Sequence, residues 1–146
     1  MLRSSVLELA QCFRSAVEVV VKTGNVPMHI QGFPRGCCGI ISELMGDYFN
    51  RLDIGEFLYV CGMKDGASHA WLEVGGLIVD ITGDQFAGRP GIYVDELDAW
   101  YSEWEQDIKH LAIHDSSAFF YGEERKFLMQ VLEHINKPQA GSAGRY

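Results

Sequence analysis

An α+β domain, with helices set around a small antiparallel sheet, is the fold class the sequence predicts. Three observations point to it. Apolar residues recur at helical intervals through the first 22 residues and again from residue 37 onward. Past residue 55 the pattern shortens to brief apolar runs of the kind strands carry. Two of those runs are joined by Gly75-Gly76, a tight-hairpin signal. A chain of 146 residues is one domain's worth. The domain is expected over residues 1–136, with residues 137–146, poor in apolar side chains, as a flexible tail.

The elements follow in order. Val6, Leu7, Leu9, Ala10, Phe13, Ala16, Val17 and Val20 share one face of a helix over residues 2–22. Thr23-Gly24-Asn25 and then Pro27 end it. Residues 25–36 hold Pro and Gly in a loop. A second helix runs over 37–52, with Ile40, Ile41, Leu44, Met45, Tyr48 and Phe49 as its buried face. Residues 57–61, 68–74 and 77–81 read as three strands of an antiparallel meander. An irregular loop covers 82–92. Leu97, Trp100, Tyr101, Trp104 and Ile108 predict an aromatic-rich helix over 95–110. Phe127, Leu128, Val131 and Leu132 predict a last helix over 123–135.

Composition narrows the function. Apolar residues at 47% and charged residues at 22% are near globular averages, which excludes wholesale disorder. The net charge of −8 repels phosphate backbones and anionic lipid, so neither nucleic acid nor membrane is an expected partner. Glu8, Gln11, Arg14 and Glu18 interrupt the N-terminal apolar pattern, so no cleavable secretory signal is read there. A cytoplasmic location is expected, with export by a dedicated secretion machine compatible with the same features. The cysteines Cys12, Cys37, Cys38 and Cys61 are then free thiols. Cys12 and Cys61 lie in apolar patterns and are expected to pack inside.

Three residues form a chemical constellation. The segment Gly36-Cys37-Cys38-Gly39 is a Gly-rich loop opening into a helix. The first turn of a helix offers unsatisfied N–H groups and partial positive charge, which bias a thiol toward thiolate. Such a thiolate can attack a carbonyl, and the same N–H groups can hold the oxyanion. His69, on the strand that follows, is a candidate base. Folding the chain about Gly75-Gly76 sets residue 69 opposite 82 and makes Asp80 a diagonal neighbour of His69 on the same face. A carboxylate there holds the imidazole in one tautomer.

These segments resemble the transglutaminase-like branch of the papain-like cysteine enzymes. Ser42 and Leu44 follow Cys38 where that branch has Ala or Ser and then an apolar residue; from Cys37 the fit is worse. The stretch HAWLEV at 69–74 is similar to the family's H-A-W-x-E-V strand, and VDIT at 79–82 to its V-D-x-T strand. The likeness covers residues 36–85 and departs at Gly39, where the family often has an aromatic residue. It implies a papain/transglutaminase-like core and a triad of Cys38, His69 and Asp80. Gln31 sits before the nucleophile as the oxyanion glutamine of the papain branch does, with Gln85 as a second candidate. Cys37, Trp71 and Gln85 are expected to line the substrate cleft. The compact bacterial members include peptidases, deamidases and leader-processing enzymes, so the implied chemistry is amide cleavage or transfer on a protein or peptide. No calcium loop is evident.

Other readings exist for each feature. Zinc from Cys37, Cys61 and His69 lacks the paired spacing structural zinc uses, so no metal is expected. No nucleotide motif is present, and no cofactor is expected. His110 and His114 could share a helix face. Trp100, Tyr101 and Trp104 read as core, and the acidic residues between 95 and 107 as a solvated face that favours basic partners if it flanks the cleft. Two function classes follow. One is a thiol hydrolase or acyltransferase, of a size that suits a delivered bacterial effector. The other is a binding or immunity module that keeps the fold without the chemistry.

Overall fold

The computed structural model describes residues 2–114 and 121–136. The elements run α1 (Leu2–Lys22), α2 (Cys38–Arg51), β1 (Leu58–Lys64), β2 (Ala67–Val74), β3 (Leu77–Asp80), β4 (Tyr93–Glu96), α3 (Ala99–Ser102), β5 (Glu105–Leu111) and α4 (Tyr121–Asn136). Among the described residues the architecture is mixed: four α-helices and one five-stranded antiparallel sheet, in the order β4-β3-β2-β1-β5. The expected tail at 137–146 lies outside the described residues. Among the described residues no helix is long and apolar enough to cross a membrane.

The three long helices, α1, α2 and α4, match the sequence reading closely. α1 buries Val6, Ala10, Phe13, Ala16, Val17 and Val20, and stops where Thr23 Oγ donates back to the Val20 carbonyl at 2.6 Å and Gly24 turns to φ +75°. Cys12 is the exception: it is exposed and is not a packing residue. Cys61 is half-buried on β1.

The hairpin register is also as the glycines require. Val74 pairs with Leu77 and Leu72 with Val79, the register that puts 69 and 80 on one face of the sheet. Alternation along the strands divides the core in two. Leu72, Val74 and Val79 face α1, α2 and α4 in the main core, with Phe13, Ile41, Leu44, Phe49 and Phe127. Val60, Trp71 and Ile78 face the other way and are covered by Tyr101 and Trp104.

The segment 95–110 is not one helix. Residues 93–96 form strand β4 on β3, residues 105–111 form strand β5 on β1, and only Ala99–Ser102 is helical. Every residue of β5 is exposed, so the strand has no apolar alternation to announce it. The Asp98 carboxylate caps the short helix, accepting from the Tyr101 N–H at 3.0 Å. His110 and His114 therefore share no helix face. His110 stacks on Tyr59 from β5, and His114 is buried after it, 2.7 Å from Glu124.

Candidate active site

Cys38 is the first residue of α2, and the helical ladder begins one turn later with the Ile41 N–H donating to the Cys37 carbonyl at 2.9 Å. The Cys38, Gly39 and Ile40 amides thus precede the ladder and point out of the helix start. Gly36 makes the approach possible with φ +75°, a conformation that costs other residues a steric penalty. Gly39 is small for a different reason. A Cβ there would stand 3.1 Å from the Tyr59 hydroxyl, so the space an aromatic neighbour would need is taken by β1.

α2 is seated on β2 by small groups. Ser42 Oγ donates to the Ala70 carbonyl at 3.3 Å, and Gly46 lies against Leu72 and Ala112. That seating sets the Cys38 thiol beside His69 and the backbone of Ala70, near enough for both to act on its charge. His69, fully buried, donates from Nε2 to Asp80 Oδ2 at 2.6 Å. Because a carboxylate only accepts, the proton sits on Nε2, which leaves Nδ1 as the nitrogen available to the thiol. The Asp80 carboxylate has more partners. Oδ1 accepts from the Thr82 N–H at 2.9 Å and the Thr82 hydroxyl at 3.3 Å, and Oδ2 accepts from the Tyr101 hydroxyl at 2.7 Å. A carboxylate 1% exposed and so fully hydrogen-bonded is fixed in place.

The electrostatics follow from these contacts. Burial pushes the Cys38 thiol up, but the His69 hydrogen bond, the His69 charge and the Ala70 backbone outweigh it, and the net direction is down. Burial pulls His69 down, but the Asp80 and Cys38 hydrogen bonds and charges lift it to about 9. Both directions favour a thiolate beside an imidazolium over a neutral thiol and imidazole. Cys37 differs from its neighbour. It is buried, and burial followed by the Cys38 charge pushes its thiol up to about 12. The two adjacent thiols are thus shifted in opposite directions.

The structure thus brings Cys38, His69 and Asp80 together, and Gln85 with them. Gln85 Nε2 lies 3.4 Å from His69 Nδ1 and donates to the Thr82 carbonyl at 3.0 Å. Gln31 is elsewhere: its amide donates to the Val26 carbonyl at 3.2 Å, and no described contact joins it to Cys38. Cys37 and Trp71 do not line an open cleft, being 3% and 0% exposed. Trp71 packs behind His69, ring centroids 5.6 Å apart. Among the described residues no group of three or more His, Cys, Asp or Glu is arranged to hold a metal.

Several residues of the site were not legible beforehand. Phe86, Trp100 and Trp104 stand 5.0, 5.8 and 5.7 Å from the His69 ring and shield its bond to Asp80 from water. The loop carrying Gln85 and Phe86 is anchored to α1 by Arg14, bidentate to Asp84 at 2.9 and 2.8 Å and donating to the carbonyls of Ile81 and Gly91. A lone Arg on a helix gives no sequence signal for such a role. Set against family models, curated proteins and solved structures, the chain matches none.

Proposed function

We propose that the protein is a cysteine hydrolase or acyltransferase acting on amide bonds of a protein or peptide, built on a papain/transglutaminase-like core. One observation carries the reading. A partly exposed thiol at a helix start is electrostatically coupled to a buried histidine whose far nitrogen is held at 2.6 Å by a buried carboxylate. A binding module gains nothing from maintaining this arrangement, and burying two charges is costly unless they are used or fully paired.

The steps follow from the geometry. The Cys38 thiolate attacks the amide carbonyl carbon, and the carbonyl oxygen takes up the charge facing the first-turn amides of α2. His69, holding the proton at Nδ1, delivers it to the leaving nitrogen as the C–N bond breaks. A thioester remains on Cys38. Water or a second amine then gives its proton to His69 and attacks the thioester, and the Cys38 thiolate leaves. Water gives peptidase or deamidase chemistry, and an amine gives transfer. Asp80 keeps Nε2 protonated throughout.

The test uses a proteome-derived peptide mixture with an added primary amine, incubated with wild type and with Cys38→Ala. The readouts are new peptide termini, Gln or Asn side chains converted to acids, and incorporated amine, all by mass spectrometry. Any of the three that depends on Cys38 supports the reading and selects the branch. No difference between the two proteins, together with Cys38 labelling no faster than exposed Cys12 by a thiol reagent at pH 6, overturns it.

A further inference from the structure

We propose that Tyr101 is a positioning residue of this site, which holds the Asp80 carboxylate against His69 and weakens its pull on the imidazolium. The inference rests on the triad reading above and deepens it.

Asp80 Oδ2 accepts two hydrogen bonds of nearly equal length, 2.6 Å from His69 Nε2 and 2.7 Å from the Tyr101 hydroxyl. Oδ1 is occupied by Thr82. All of the carboxylate's acceptor directions are therefore used. A neutral donor on a carboxylate stabilises its charge and makes it a weaker partner for any other donor on the same oxygen. Tyr101 thus does two things. It fixes the rotation of the carboxylate, and it shares the charge that would otherwise fall wholly on His69.

Tyr101 is built to stay a donor. It is 1% exposed, and its ring is held between Trp71, Tyr93 and Trp100 at centroid distances of 5.2, 4.9 and 4.8 Å. Burial and then the Asp80 charge push its hydroxyl far up, so it keeps its proton wherever the site works. Arg89 lies over the same ring with its guanidinium carbon 5.2 Å from the centroid, and is itself held by Asp98 at 3.0 Å. A cation on the ring makes the hydroxyl a better donor. Asp98 also caps the turn that carries Tyr101. Arg89, Asp98 and Tyr101 form one unit aimed at Asp80.

The titratable groups facing His69 are few. α2 presents Cys38, β3 presents Asp80, and α3 presents Tyr101 behind Asp80. β1 presents Gly62 across from it, and the loop after β3 presents Gln85 and Phe86, which carry no charge. Removing the Tyr101 hydroxyl leaves more of the Asp80 charge for His69, and the imidazolium persists to higher pH.

The experiment labels Cys38 with iodoacetate and with iodoacetamide from pH 6 to 11, mapped by mass spectrometry, in wild type and Tyr101→Phe. An anionic reagent is favoured by a neighbouring imidazolium and a neutral one is not, so the ratio of the two rates falls where His69 loses its proton. In wild type the fall is expected near pH 9. In Tyr101→Phe it is expected roughly half to one pH unit higher, the scale of one hydrogen bond's effect on a charged partner. Arg89→Gln keeps the hydroxyl but removes the cation, and should move the fall the same way by less. A merely structural tyrosine would lower Tm and leave the position of the fall unchanged. Unchanged falls in folded Tyr101→Phe, or in Arg89→Gln should the first not fold, overturn the role of Tyr101 while the triad stands. A wild-type ratio with no fall overturns the triad itself.

Discussion

Gly46→Ala should loosen the seat on which the candidate nucleophile rests. An added Cβ would stand 2.4 Å from Ala112 Cβ and 2.8 and 3.4 Å from the Leu72 δ-carbons. Carbon atoms pack at about 3.5–4 Å, so α2 and its neighbours must separate by about 1 Å. The nearest atom is a Cβ with no rotamer by which to escape. Overpacking of this kind costs about 1–3 kcal/mol, and the upper end applies here. Replacing a helical Gly by Ala returns about 1 kcal/mol of propensity. The net is a loss of about 2 kcal/mol, which lowers Tm by about 4–8 °C for a chain of this size. Urea unfolding at constant m measures it as a lower midpoint. Ala112→Gly on the same background removes the 2.4 Å contact and should recover part of the loss, leaving the Leu72 contact. Because α2 carries Cys38, the same shift should slow Cys38 labelling at pH 6 by about tenfold to a hundredfold. A Gly46→Ala protein as stable as wild type, with unchanged labelling, would refute the reasoning.

Cys37→Ala should leave Cys38 labelling at pH 6 within about twofold of wild type, since the Cys37 thiol is pushed up to about 12 and does not compete; site-resolved mass spectrometry reads this, and a large loss would make Cys37 part of the chemistry. Stability against pH separates the two partners. A histidine lifted to about 9 contributes stability present below its unfolded value near 6.5 and lost as pH rises through 9. A thiol lowered on folding contributes stability that is lost as pH falls through its folded value, so it changes with pH in the opposite sense and offsets the histidine. Wild type should therefore change little in urea midpoint between pH 6.5 and 8.5. Cys38→Ala, left with the His69–Asp80 pair, should lose stability over that range. A Cys38→Ala protein that is flat or gains there contradicts a lift carried by Asp80.

The hairpin half of the site could be read from residues because its rule is local. Gly75-Gly76 fixes the register, and register alone decides that His69 and Asp80 share a face. The start of α2 was legible for the same reason, with glycine flanking two cysteines before a helical pattern. The choice between those cysteines rested on a resemblance, and their different burial is a tertiary fact. The stretch 95–110 failed where local rules lose force. An exposed edge strand such as β5 needs only its partner's backbone, so its sequence carries no alternation. Trp100, Tyr101 and Trp104 looked like core and are core, yet the core they form encloses His69. Arg14 and Tyr101 act across the fold, Arg14 on Asp84 and Tyr101 on Asp80, and no spacing in the chain announces either pairing.

The central claim is that Cys38 is held as a thiolate by His69. The direct measurement is the rate of Cys38 alkylation by iodoacetamide from pH 4 to 9, by site-resolved mass spectrometry, in wild type and His69→Ala. Labelling that stays fast below pH 7 in wild type and slows there in His69→Ala is the predicted result. Labelling that rises in both proteins only near the ordinary thiol value of about 8.5 would contradict it.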